Sequence, residues 1–238
     1  MAERIQAVVF DKDGTLFEFE ATWRGVVDKV IDTLAPDAAA ARAMAEAAGY
    51  GAAGFAPGSP IVSGATREVA TLWAPWRPDL GVDGLEDALN AIALSAAGDP
   101  AALVPAAADL PGLLGGLRAR GLFLAVGTND SRSSAERQLA AAGIGTEFGF
   151  VAGYDSVARP KPAPDMVLAA AAAAGVAPAS VAMVGDSIHD LQAARGAGAG
   201  LAIGVLSGPA GEPELRPLAD HLLPSIEALP ALLDSLPD

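Results

Sequence analysis

In AVVFDKDGTLF, residues 7–17, an apolar run ends on two carboxylates spaced two apart, Asp11 and Asp13, followed at once by Gly14 and Thr15. Further along, Thr128 and Asn129 follow the apolar LAVG, Lys161 stands in RPKPAPD, and Asp186 and Asp190 stand in VGDSIHD. Short apolar runs of this kind form buried strands. If those strands share a sheet, these distant residues meet along one edge, and together they make a phosphoryl-transfer site. Such chemistry rests mainly on positioning and on charge stabilisation. Four carboxylates (Asp11, Asp13, Asp186 and Asp190) against the ammonium of Lys161 leave the site net negative, facing an anionic ester. A like-charge pair about 4 Å apart costs about 4 kcal/mol at an effective dielectric near 20, so substrate binding calls for a cation. Oxygen-only donors favour Mg²⁺.

Each residue alone also has an ordinary structural use. Asp13-Gly14 is a turn signal, Thr128 or Ser187 suits a helix cap, Asp186 could cap the helix it precedes, and a lysine in a proline-rich loop is usually solvated. Independent caps and turns have no reason to fall at four successive strand ends, so jointly the functional interpretation prevails. Lys12, between the two acids, is expected to point away from the reaction, and His189, at a helix start, is given no catalytic part. The GAGAG of residues 196–200 follows a helix rather than a strand, and so fails as a dinucleotide fingerprint.

The elements that must position these residues are legible in the periodicity. Strands are expected at 5–10, 122–126, 148–152, 181–184, 201–205 and, more weakly, 221–223. Helices are expected at 113–120, 133–142, 165–174, 188–195 and 226–233. Alternation of this kind implies an α/β fold, a Rossmann-like parallel sheet with helices on both faces, and ligands then sit at the carboxyl ends of the strands. Between the first strand and the rest, Trp23, Val26, Val27, Val30, Ile31 and Leu34 follow helical spacing. Further helices are expected at 38–48, 65–73 and 85–97, around a Gly/Pro-rich loop at 49–64. Residues 18–103 are therefore expected to form an inserted α-helical domain, and residues 1–17 with 104–238 the core. Trp73 and Trp76 are expected to pack inside the insert.

Composition narrows the function classes. The chain of 238 residues is 52% hydrophobic, long enough to bury a substantial core. A net charge of −14 without clustered Lys and Arg argues against nucleic acid and against an anionic membrane surface. Zero cysteines exclude disulfides and thiolate chemistry and fit the cytoplasm. No secretory signal is expected, because Asp11 and Lys12 interrupt the first apolar run. The uncharged stretch 166–185 has the length of a membrane span, but Gly175 and Pro178 break it into a helix, a turn and a buried strand.

Taken in order, FDKDGTL, AVGTND, KPAPD and VGDSIHD resemble the four motifs of the haloacid dehalogenase superfamily, and specifically its phosphatases of the phosphoglycolate phosphatase type. The insert resembles that subgroup's mobile cap in size and position. The resemblance implies that Asp11 is the nucleophile and Asp13 the general acid and base. It further implies that Thr128 and Lys161 act in catalysis, that the phosphoryl group is held by Gly14, Thr128, Asn129 and Lys161, and that Mg²⁺ is held by Asp11, the carbonyl of Asp13, and Asp186. Asp190 would act on the metal through water or from behind the ligands. A small phosphate ester is the implied partner, phosphoglycolate first, with a sugar phosphate or a nucleoside monophosphate as alternatives; Arg24 or Arg67 is a candidate contact for its organic part. Asp13 disfavours the dehalogenases and phosphonate hydrolases, which usually lack that carboxylate. Thr15, with no histidine before His189, disfavours the β-phosphoglucomutase type, which stays as the alternative. A receiver-like signalling module fits less well, since its phosphoacceptor usually follows the third strand, and so does a non-catalytic phosphate binder, since Asp11, Asp13, Lys161 and Asp186 are all present. The choice between monomer and homodimer stays open.

Overall fold

The computed structural model describes residues 4–56, 59–96 and 103–236. Along them run eight strands, β1 (Ala7–Phe10), β2 (Tyr50–Gly51), β3 (Gly54–Phe55), β4 (Phe123–Gly127), β5 (Phe150–Ala152), β6 (Val181–Gly185), β7 (Leu201–Val205) and β8 (His221–Leu223). Helices α1 (Phe19–Leu34), α2 (Ala38–Ala47), α3 (Pro60–Ser63), α4 (Thr66–Trp73) and α5 (Gly81–Ala96) lie between β1 and β4. After them come α6 (Leu110–Ala119), α7 (Arg132–Ala141), α8 (Asp165–Ala174), α9 (Ile188–Ala197), α10 (Glu212–Leu215) and α11 (Leu229–Ser235).

Six strands form one parallel sheet in the order β5-β4-β1-β6-β7-β8. β1 is central, with Phe10 opposite Val126 on one side and Val184 on the other. Side chains alternate across the sheet. Val8, Phe10, Val126 and Val184 pack on one face with Leu114 and Leu117 of α6 and Leu229 of α11. Ala7, Val9, Val181 and Met183 pack on the other with Val167 and Ala170 of α8 and Leu191 of α9. Every residue of β1 and β6 is buried, as expected for strands covered on both faces. The chain that pairs on both sides of β1 diverges there, and that switch point opens the crevice in which α/β sheets bind ligands.

The inserted helices have an apolar cluster of their own, centred on Trp73, Met44, Leu85, Val27 and Val30, with Trp76 packed against it. The Trp73 indole N–H donates to the Met44 carbonyl at 2.9 Å. The two connections to the sheet run side by side, with Glu18 N–H donating to Val104 O at 2.8 Å and Ala106 N–H to Leu16 O at 2.9 Å.

Several element boundaries differ from expectation for local reasons. α6 begins at Leu110 rather than 113, because Asp109 caps it through Gly112 N–H at 3.0 Å and Pro111 is well placed in a first turn. α5 begins at Gly81, through two glycines that weaken the helical signal, and residue 97 of the expected helix lies outside the described residues. The expected 49–64 loop contains the hairpin β2–β3 and the single-turn α3. Ile226–Ala228 forms a 3₁₀ turn before α11, whose first turn holds Pro230. The stretch 166–185 divides as expected into α8, a left-handed Gly175 cap and β6, and among the described residues no helix is long and apolar enough to cross a membrane.

Candidate active site

The chain end of β1 carries Asp11, whose N–H continues the ladder by donating to Val184 O at 2.8 Å. Its carboxylate therefore stands at the rim of a rigid, buried strand. Lys161 arrives from the loop before α8, at a cis Lys161–Pro162 peptide. Its Nζ lies 2.8 Å from Asp11 Oδ1 and 2.5 Å from Asp190 Oδ1. Burial opposes charge on Lys161, but Asp11 and Asp190 outweigh it, so the ammonium is held more firmly than in an ordinary lysine.

Asp190 is wholly buried in the first turn of α9 and also belongs to that helix's capping box. Its Oδ2 accepts from Ser187 N–H at 3.0 Å and from Ser187 Oγ at 2.6 Å. The N-cap is thus Ser187, and Asp186 is left free of capping. Asp186 accepts from Thr15 Oγ1 at 3.1 Å. Asp11, Asp186 and Asp190 bring one carboxylate oxygen each within 4.8 Å of one another. Burial, opposed by Lys161, pushes the Asp11 carboxyl up to about 7, with Asp190 and Asp13 adding to the rise. Asp186 is also raised well above the ordinary carboxylate range, by burial first and then by Asp11 and Asp190. Three hard oxygen donors, crowded and repelling, could hold a small divalent cation.

Glycine spacing protects this cluster. Gly14 has φ +84°, and a Cβ there would lie 2.3 Å from Asp186 Oδ2; one on Gly208, after β7, would lie 1.8 Å from the same atom. Gly14 donates its own N–H to Phe17 O at 2.7 Å. It supplies a tight turn and clearance beside Asp186. The Asn129 amide donates to Lys161 O at 2.9 Å and accepts from Lys161 N–H at 3.1 Å, clamping the loop that carries Lys161. Thr128, 2% exposed, accepts from Asp130 N–H at 3.1 Å, which leaves its hydroxyl proton to donate.

Lys12 corrects the expectation that it points away. It is fully buried, with Nζ 2.5 Å from Asp13 Oδ2 and 3.4 Å from Asp130 Oδ2, hydrogen-bonded to Gln138 Oε1, and 5.3 Å from the Trp23 ring centre. Burial works against this ammonium, and Asp13 and Asp130 overcome it, raising its pKa. Asp130 is raised by its own burial, against the pull of Lys12. Asp130 and Gln138 belong to the site's surroundings and went unnoticed in the sequence. The one local signal was Asp130's place directly after Thr128-Asn129.

Asp11, Asp13, Thr128, Asn129 and Lys161 share a cavity of about 110 Å³ with side chains of α1, α3, α4 and α5. Arg24 and Arg67 do not line it. Arg24 pairs with Glu20 on the surface of α1, and Arg67 pairs with Asp83 at 2.9 Å and Glu86 at 2.5 Å.

Residues 5–198 match the family model described as haloacid dehalogenase-like hydrolase. The phosphoglycolate phosphatase of Shigella boydii serotype 4 (strain Sb227) is 32% identical over 209 residues, covering 82% of this chain and 79% of that protein. The Dickeya dadantii protein named "Probable phosphatase IndB" is 46% identical over 101 residues, 41% of this chain, and the match spans 44% of that protein's length. A crystal structure of a hydrolase from Pseudomonas syringae has the same fold, with a TM-score of 0.72 at 21% identity over 98% of this chain and 99% of that one.

Proposed function

Since the chain belongs to the haloacid dehalogenase-like hydrolase family, we propose that it is a Mg²⁺-dependent phosphatase that hydrolyses a small phosphomonoester through a phosphorylated Asp11. A carboxylate oxygen of Asp11 attacks phosphorus, the bond from phosphorus to the ester oxygen breaks, and Asp13 protonates the departing alcohol. Water then attacks the aspartyl phosphate, Asp13 takes its proton, and inorganic phosphate leaves with Asp11 restored. The Thr128 hydroxyl donates to a phosphoryl oxygen, and Lys161 balances charge on both Asp11 and the phosphoryl group. Asn129 and Asp190 hold Lys161 in place, one by its backbone and the other by its ammonium.

Asp11, Asp186 and the Asp13 carbonyl would hold Mg²⁺, with Asp190 behind them. When bound, the ion offsets the negative charge shared by the carboxylates and the ester. Residues 18–103 act as a cap over a core of residues 1–17 and 104–238, and exclude water while Asp11 reacts. What carries the proposal is the meeting of Lys161 with Asp11 and Asp190 beside Asp186, three separate chain segments brought to one strand edge.

The test is phosphate release from a panel of small phosphomonoesters, phosphoglycolate included, with Mg²⁺ or with EDTA and with Asp11→Asn in parallel. Turnover should need Mg²⁺ and fall more than ~10³-fold in Asp11→Asn, as expected when a nucleophile is removed. Absence of release by folded, Mg²⁺-loaded protein would sink the hydrolase assignment. Movement of phosphate between positions of a sugar without release would replace it with the mutase.

A further inference from the structure

The cavity above Asp11 has two unlike halves. Its floor is the polar edge of the sheet, and its walls, from the insert, include Phe19, Trp23, Val26, Val30, Ile61 and Val69. Thr66 and the indole N–H of Trp23, a buried donor without a hydrogen-bond partner, are the polar side-chain groups that the insert's described residues add to the lining, and both are uncharged; Lys161 is the only cation among the described lining residues. Lys161 is already held between Asp11 and Asp190. The arginines nearest to hand in sequence are spent outside on Glu20, Asp83 and Glu86. A second anion on the substrate would meet apolar walls and the carboxylates of Asp13 and Asp130, with no guanidinium to receive it. At about 110 Å³ the space far exceeds the 10–15 Å³ that holds a single water, so it is large enough for an organic group.

From this lining we infer that the ester's organic part is uncharged and apolar: an alkyl or aryl phosphomonoester, not one carrying a carboxylate such as phosphoglycolate. The inference rests on the phosphatase proposal for the chemical step, but the shape and charge of the pocket stand apart from it. Burial of each methylene against these walls favours binding by an amount set by its apolar area.

The experiment compares kcat/KM, with Mg²⁺ present, for methyl, ethyl, propyl and butyl phosphate and for phosphoglycolate, in the full chain and in Ile61→Arg. Ile61 is half-buried on a one-turn helix, where a longer side chain is tolerated best. In the unaltered protein kcat/KM should rise about fourfold per added methylene, the ratio equivalent to about 0.8 kcal/mol, with butyl phosphate far above phosphoglycolate. Ile61→Arg should narrow or reverse that order by about tenfold, because a guanidinium is a carboxylate partner. A flat alkyl series, or phosphoglycolate preferred by the unaltered protein, would overturn the inference and leave the phosphatase standing. If no ester turns over, the phosphatase proposal fails instead, and calorimetric titration with butylphosphonate and phosphonoacetate decides the pocket alone. Tighter butylphosphonate binding would uphold it, and equal or weaker binding would end it.

Discussion

Lys12 is the residue whose environment departs furthest from its type. A lysine normally keeps its ammonium in water, yet this one is fully buried and satisfied by Asp13, Asp130 and Gln138. Replacing it with methionine keeps most of the volume but leaves the buried Asp130 and the half-buried Asp13 carboxylates without their cation. Asp130 Oδ2 already has no hydrogen bond to fall back on. Removing one partner of a buried pair costs about 3–5 kcal/mol, so Lys12→Met should lower the urea midpoint accordingly. Adding Asp130→Asn should recover part of the loss, since it removes one of the stranded charges. No change in midpoint would mean that the ammonium is not buried in solution. The sequence could not disclose this arrangement, because a lysine between two aspartates reads as solvated. Its burial is produced by Trp23 of α1 and Gln138 of α7, which local pattern cannot bring together. The positions of Asp11, Asp13, Thr128 and Asp186 are legible because each stands at the end of an apolar strand run, whereas Lys161 lies in the loop between β5 and α8, where no such run marks it.

At the scale of elements, the start of α9 does two jobs with one side chain. Asp190 closes the Ser187 capping box and also holds Lys161. Asparagine can still accept the Ser187 bonds but cannot balance the ammonium, whereas alanine does neither. Loss of a cap costs about 1 kcal/mol, so Asp190→Ala should unfold at lower urea than Asp190→Asn by that much. Both should lower kcat, because Lys161 loses the carboxylate that orients it. Equal stability of the two variants would show that the cap bonds contribute nothing. The capping motif S-x-x-D is visible in Ser187–Asp190, but its second duty is not, because the Lys161 loop is placed by α8 and by Asn129. Likewise β1, β4, β6 and β7 were readable from period and apolar runs, while the β2–β3 hairpin was not. GYGAAGF has too few β-branched or alternating residues to signal pairing, and its two strands pair with each other beside α1 and α2.

At the scale of the whole molecule, the buried acid cluster should invert the usual pH dependence of stability. The Asp11 carboxyl is raised from 3.8 to about 7 in the folded chain, and Asp186 is raised too. Between those pH values these carboxyls hold more protons in the folded state than in the unfolded one, so their contribution to stability is greatest near pH 4 and falls as pH rises toward 7. Surface carboxylates such as Asp79 and Asp234, held low by hydrogen bonds from Arg77 and Arg120, act in the opposite sense, but they titrate below that window. A cation that binds the ionised cluster stabilises the folded state by mass action, and most where the carboxylates are deprotonated. Urea midpoints measured from pH 4.5 to 8 should therefore decline with pH in EDTA, and level off or rise in millimolar Mg²⁺. Asp186→Asn should flatten the decline in EDTA by removing one of the repelling charges, and should also weaken the response to Mg²⁺. Stability that climbed with pH in EDTA would mean that Asp11 and Asp186 do not repel one another in the folded protein. Repulsion within the cluster would then give no reason to expect the chain to bind a cation there.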